Sequence, residues 1–355
     1  MKPVYDGVRR SLSELNLGLK DLVRVDAAVT KRDHVSSYRE QRRRYLSGPL
    51  PTSTAVRVDN LLGRTSVIQL TPIAADPSVH GEMHAVESDA MAVYSRDAFS
   101  KGLVCGNWLF VSGATASAHS RSVKNSQGLA DEAWVDENYW AQSPVKVQSG
   151  YVLLEKIRGV LKAAGHGLEN IVRANIFLTD CERDLGPFWE TWLDIFDGAP
   201  PATIITPIDG LGLVAARIEI SVVAYKVRDD IVKVVSDTPD ESLPGCPVAV
   251  RAGGLVWCSS VAGSPLQPPQ PRSGIDELYS AVERLERVLA RAGSSIDDLV
   301  FVGMHADRAS RGGDFVKALR SRSTTELPAI ASTGSGAPFY GPSLTLCLDA
   351  VAVTG

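Results

Sequence analysis

Two carboxylates near the ends of apolar runs are the residues in this sequence best placed to move protons. In RIEISVVAY (217–225), alternation puts Ile218, Ile220, Val222 and Ala224 on one face of a strand and Arg217, Glu219 and Ser221 on the other. In TLCLDAVAV (345–353), Leu346 and Leu348 likewise alternate with Thr345, Cys347 and Asp349. A carboxylate on such a row faces either water, as half of an exposed Glu219–Arg217 pair, or a cleft. In a cleft, partial desolvation would raise its pKa toward the range useful for proton transfer.

Other reactive types are scattered. His80 and His84 in HGEMHAVE have the i,i+4 spacing that puts two ligands on one helix face, but they lack the HExxH order, and no metal or other cofactor is expected. His305 reads as a core or edge histidine of a strand. The five cysteines, Cys105, Cys181, Cys246, Cys258 and Cys347, form no CxxC pair and read as buried small apolar residues.

The elements that must hold these residues come in repeats. VRRSLSELNLGLKDLVRVDAAVTKRD, LEKIRGVLKAAGHGLENIVRANIFLTDCERD and VERLERVLARAGSSIDDLVFVGMHADRAS each read as helix, acidic turn and apolar strand. The intervals from Leu22 to Pro51, Ile171 to Pro201 and Leu299 to Pro328 are 29, 30 and 29 residues, so register is kept. A second amphipathic helix lies within each interval, and two strands follow. The second and third copies are preceded by hairpins, FSKGLVCGNWLFVSG (99–113) and CPVAVRAGGLVWCSS (246–260); the first copy has none. The expected organisation is a truncated module at 1–75, a linker at 76–97 and complete modules at 98–227 and 228–355.

Composition bounds the class. With 44% hydrophobic and 22% charged residues in 355, the chain can bury a large core. A net charge of −4 gives no general attraction to nucleic acid, and the arginines of YREQRRRYL (38–46) read as the wet face of a helix. There is no apolar leader at 1–16 and no membrane-length apolar run, so a cytoplasmic protein with neither nucleic-acid nor membrane partners is expected. The insert at 114–147, with Trp134, Tyr139 and Trp140, reads as a lid or a surface loop, and PLQPPQPRSG (265–274) as a stiff loop.

The hairpin FSKGLVCGNWLFVSG, the run LKAAGHGLENIVRANIFLTD and the closing PPAT and RIEISVVAY resemble the Rid (YjgF-like) family of imine and enamine deaminases. The resemblance implies an α+β fold of tandem Rid-like modules, and one chain could supply the family's trimer as an intramolecular pseudo-trimer, monomeric or dimerised. It implies ligand sites in clefts between modules and water attack on a C=N carbon of a small-molecule substrate.

Residue by residue, the resemblance implies Glu219 for the family's acid, whose place is taken by Gln69 and Cys347 in the other copies. Ser112 and Gly113, with Ser259, stand for its serine-glycine pair. Phe99 and Cys246 stand where it has an aromatic residue opening the hairpin. Its arginine after Pro-Ala is replaced by Ser53, Thr203 and Ile330, so ordinary 2-imino acid deamination is expected to be weak or absent. With Asp349, which the polar row of the last strand offers in place of the family's groups, the expected site set is Glu219, Ser112 and Asp349 for catalysis, and Phe99, Gly113, Thr203, Ser259 and Cys347 for substrate binding. A divergent enzyme hydrolysing an imine, enamine or related intermediate is expected. The alternatives are a chorismatase-like lyase or hydrolase and a non-catalytic ligand-binding or scaffolding protein.

Overall fold

The computed structural model describes residues 2–63, 65–91, 98–118, 125–136, 142–236, 238, 242–263, 274–307, 312–336 and 344–355. The first repeat runs from helix α1 (Lys2–Glu14) through a 3₁₀ turn at Leu19–Asp21 into strand β1 (Leu22–Val29), helix α2 (Arg32–Tyr45), and strands β2 (Ala55–Arg57), β3 (Asn60–Leu61) and β4 (Ile68–Ala74). Helix α3 (Pro77–His80) and strand β5 (Met83–Val86) follow.

The second repeat opens on the hairpin β6 (Gly102–Cys105) and β7 (Trp108–Ala114). A helix then runs as α4 (Pro144–Tyr151), a π-helical stretch at Val152–Ile157 and α5 (Arg158–Ala163). A 3₁₀ turn at Leu168–Asn170 leads to β8 (Ile171–Leu178), α6 (Cys181–Ile195), β9 (Ala202–Pro207) and β10 (Ile218–Tyr225). The third repeat has β11 (Val232–Val234), the hairpin β12 (Ala249–Ala252) and β13 (Leu255–Cys258), and β14 (Val261–Ala262). It continues with α7 (Gly274–Arg291), a 3₁₀ turn at Ile296–Asp298, β15 (Leu299–Ala306), α8 (Gly312–Arg320), β16 (Ala329–Gly334) and β17 (Leu346–Val353). Helix, 3₁₀ turn, strand, helix, strand, strand therefore recurs three times, as the kept intervals require.

Local chemistry makes the shared turns. The Asp21 carboxylate accepts the Gly18 N–H at 2.8 Å, and the Asn170 side-chain oxygen accepts the Gly167 N–H at 2.9 Å, each closing a turn three residues long. The helix between two strands makes a crossover, so β1/β2, β8/β9 and β15/β16 pair in parallel. Helix α7 shows what holds the layers together: Leu278, Ala281, Val282, Leu285, Val288 and Leu289 recur at helical spacing, and all are buried with Val302, Met304, Leu346 and Leu348. Each fully buried aliphatic side chain contributes about 1.5–3 kcal/mol.

The chain divides into two compact units, residues 1–57, 67–170 and 210–226 against 58–66, 171–209 and 227–355. In the first, β1 lies between β2 and β4, and β5-β6-β7-β10 follow one another in a second sheet. In the second, the order is β11-β12-β13-β17-β15-β16-β3, with β8 beside β9.

Three local expectations need correction. Residues 83–86, within the stretch read as a linker, form β5 and pair antiparallel with β6. His80 and His84 lie on different elements, α3 and β5, and both are exposed, so they do not share a helix face. Arg43 and Arg44 are exposed as read, but Arg42 is buried: its guanidinium lies 5.2 Å from the Tyr38 and Phe99 ring centres and donates to the Ala98 carbonyl at 2.7 Å. All five cysteines are free and buried. Trp134 is half-buried, while Tyr139, Trp140 and residues 265–273 lie outside the described residues.

Candidate functional site

The residues singled out by sequence gather into two groups, one in each unit. In the first unit, β10 is buried along its whole length, so Glu219 sits inside, 7% exposed. Its carboxyl occupies the space over Gly113: a Cβ built there would lie 2.0 Å from Glu219 Oε1 and 2.7 Å from Thr54 Oγ1. Only a glycine leaves room for the carboxyl at this point of β7.

Beside it, the edge of the first repeat meets the hairpin of the second. The Ser53 N–H donates to Ser112 Oγ at 2.9 Å, the Gly113 N–H donates to the Ser53 carbonyl at 3.1 Å, and the Ser112 hydroxyl donates to the Ser100 carbonyl at 2.6 Å. The Ser112 hydroxyl is thus held by two backbone groups, while the buried Ser53 hydroxyl has no hydrogen-bond partner. Phe99 is half-buried and stacks on Arg42.

A cation that sequence reasoning missed completes this group. Arg24, on β1 and 2% exposed, donates through Nε to Asp26 at 2.7 Å and through Nη2 to Ser221 at 2.6 Å. Asp26 in turn accepts the Thr54 N–H at 3.0 Å. Burial pushes the Glu219 carboxyl up to about 8; the Asp26 carboxylate adds to the rise, and Arg24 and Arg39 oppose it. The anticipated partner Arg217 plays no such part: its backbone N–H donates to Gln148 Oε1 at 2.8 Å. A carboxyl that stays protonated at neutral pH beside a carboxylate is the division of labour that acid–base chemistry uses.

The second unit repeats the frame with different groups. The Thr203 N–H donates to Ser259 Oγ at 3.1 Å, Ser259 donates to the Pro247 carbonyl at 2.6 Å, and the Ser260 N–H donates to the Thr203 carbonyl at 3.1 Å. Thr203 therefore belongs beside Ser259, and Ser53 holds the matching place beside Ser112. Cys246 Sγ is 3.4 Å from Ser259 Oγ, and burial pushes its thiol up. Cys347 Sγ lies 3.8 Å from the Ile205 carbonyl.

Arg173 on β8 and Asp349 on β17 form a buried ion pair, with exposures of 9% and 4%. Burial alone would raise the Asp349 pKa, but Arg173 and His305 together hold it well below the usual carboxylate range. Its polar-row neighbours contribute differently from what the row suggested: the Thr345 N–H donates to Glu277 at 2.9 Å. A Cβ on Gly303, directly opposite Asp349, would lie 1.9 Å from Asp349 Oδ1.

Arg24 and Arg173 stand two residues after Leu22 and Ile171, so they are one position repeated. Each pairs with an acidic and a neutral side chain on its own and the closing strand, exchanged between the two. Arg24 has Asp26 on its own strand and Ser221 on the closing strand; Arg173 has Asn175 at 3.0 Å on its own strand and Asp349 on the closing strand. The third repeat has Phe301 at that position. The available signal was an arginine recurring at one place in strands that are otherwise apolar, VRVDAAV and VRANIFL.

Geometry and sequence comparison meet in the second repeat. The sequence model of the family described as Endoribonuclease L-PSP matches residues 89–226, so this stretch is similar to that family. No curated protein sequence matches the chain. A chorismatase crystal structure is similar over 94% of this chain and 93% of that one, with a TM-score of 0.56 at 11% identity. The likeness shows a YjgF-like α+β fold extending through the tandem modules. A putative endoribonuclease from Thermotoga maritima covers 41% of this chain with 98% of its own (24% identity, TM-score 0.32). RidA from an Antarctic Psychrobacter covers 34% with 98% of its own (16% identity, TM-score 0.31). No helix among the described residues is long and apolar enough to cross a membrane.

Proposed function

We propose that the protein is a divergent Rid-type enzyme that hydrolyses an imine, enamine or related intermediate of a small polar metabolite, with Glu219 as general acid. The observation that carries this reading is the Glu219 carboxyl itself, buried over Gly113 and raised to about 8 beside Asp26. Protonated at neutral pH, it can deliver a proton to a substrate nitrogen or carbon as water attacks, a role worth ~10²–10⁴ in rate. Gly113 leaves the space that the carboxyl occupies, and the unpartnered Ser53 hydroxyl is a hydrogen-bonding group left for a ligand.

Ser53 in place of the family's anchoring arginine argues against ordinary 2-imino acids. Arg24 does not substitute for it, because Asp26, Ser221, Thr54 and the Val111 carbonyl already take its donors. The test is hydrolysis of 2-iminobutanoate released by a threonine dehydratase, beside a panel of carboxylate-free imines and enamines. Glu219→Gln should lower turnover of the responsive substrate ~10²-fold or more with folding intact; full activity in that variant would remove Glu219 from the mechanism.

A chorismatase-like reaction is the second reading, favoured by the fold likeness over 94% of the chain. Consumption of chorismate by the wild-type protein would select it. The closed pseudo-trimer also remains a proposal. It is supported by backbone pairing of the first repeat with the second at Ser53 and Gly113, of the second with the third at Thr203 and Ser260, and of the third with the first at β16 and β3. Small-angle scattering of a compact monomer or dimer, as against an extended string of modules, tests it.

A further inference from the structure

We propose that Asp349, His305 and Thr333, in the second unit, form a hydroxyl-activating relay that makes Thr333 an acyl acceptor for small esters, independently of Glu219. The three residues come from adjacent strands: β15 pairs with β17 on one side and with β16 on the other, where His305 stands directly opposite Thr333. His305 Nε2 lies 3.4 Å from Asp349 Oδ1, and His305 Nδ1 lies 2.9 Å from Thr333 Oγ1.

The protonation pattern follows from the charges. Arg173 keeps Asp349 ionised, so a neutral His305 carries its proton on Nε2, toward the carboxylate. Nδ1 is then a lone-pair acceptor, and its hydrogen bond to Thr333 must be donated by the hydroxyl. A hydroxyl donating to an imidazole that a carboxylate orients is the arrangement that activates alcohol nucleophiles.

Other features of the cluster agree. The His305 side chain is 18% exposed and Thr333 is half-buried, so both can meet a small molecule while Asp349 stays buried. At 3.4 Å the Asp349 Oδ1–His305 contact is longer than a hydrogen bond, so the carboxylate orients the ring by charge, and Arg173 Nη1 is buried with no hydrogen-bond partner. His305 is not repeated: the second repeat has Phe177 at that place, opposite Thr206, and the first has Ala28 opposite Val56. The relay is therefore a specialisation of the third repeat and not a demand of the fold.

In the step itself, Thr333 Oγ bonds to the ester carbonyl carbon as its proton passes to His305 Nδ1. The tetrahedral intermediate collapses with cleavage of the carbon–oxygen bond to the leaving alcohol, which takes that proton from His305. Water then attacks the acyl-threonine through the same relay. This releases the acid and restores the Thr333 hydroxyl, so one ester and one water give one acid and one alcohol.

The experiment exposes the wild-type full chain to p-nitrophenyl acetate, follows p-nitrophenolate by stopped flow and maps acetyl groups by peptide mass spectrometry after acid quench. The expected result is a stoichiometric burst with the acetyl group on Thr333. His305→Ala should slow the burst ~10²-fold or more, and Thr333→Ser should keep it where Thr333→Ala loses it, with unchanged thermal unfolding. No adduct at Thr333 in the wild-type chain, acetylation confined to surface lysines, or an unchanged burst in folded His305→Ala would overturn the proposal. The wild-type mapping decides the matter even if a variant fails to fold.

Discussion

Replacing Glu219 with glutamine removes a titrating group while keeping its size, and the structure says how stability should respond to pH. The carboxyl is raised from an ordinary 4.5 to about 8 on folding. The folded state therefore binds the proton more tightly than the unfolded chain between those values. Its contribution is complete below the unfolded pKa and is lost as pH rises through the folded one. The interval of 3.5 pH units between 4.5 and 8, at about 1.36 kcal/mol per unit, sets a ceiling of about 5 kcal/mol. Integrated from pH 5 to pH 9, the loss is about 4 kcal/mol.

Glutamine cannot ionise, so Glu219→Gln should lack this component while every other titrating group behaves as in the wild type. Urea unfolding of both proteins at pH 5, 6, 7, 8 and 9 gives the difference directly. The wild type should lose ground to the variant steadily over this range, most steeply between pH 5 and 8. A difference that stays constant within about 1 kcal/mol, or that moves the other way, would refute the buried, proton-retaining carboxyl and with it the general-acid role.

Other expectations follow from the same geometry. Gly113→Ala drives a methyl to 2.0 Å from the Glu219 carboxyl and Gly303→Ala one to 1.9 Å from the Asp349 carboxylate, and each should cost about 1–3 kcal/mol in chemical denaturation. Arg173→Met leaves Asp349 buried without its cation and should destabilise by about 3–5 kcal/mol, whereas Arg173→Met with Asp349→Leu should recover most of that loss. Ser112→Ala and Ser259→Ala remove matching hydrogen bonds at the two junctions and should lower stability by similar amounts, about 1–3 kcal/mol each, read from urea midpoints.

Much of this protein is written locally and could be read without coordinates. The three repeats follow from helical spacing, acidic turns and intervals of 29, 30 and 29 residues, because each helix–turn–strand is specified by contacts within a few tens of residues. The alternation on the closing strands likewise placed Glu219 and Asp349 on one face, and the hairpins identified Ser112 and Ser259. What alternation cannot specify is what lies across from a face. Arg24 meets Ser221 across 197 residues and Arg173 meets Asp349 across 176, and the neighbours of neither arginine in sequence say which partner it meets. The same limit hid the partners of His305, which two other strands supply. Strand chemistry has a period of two and no address; the partner is decided by which strand edge packs alongside, and only the tertiary structure decides that.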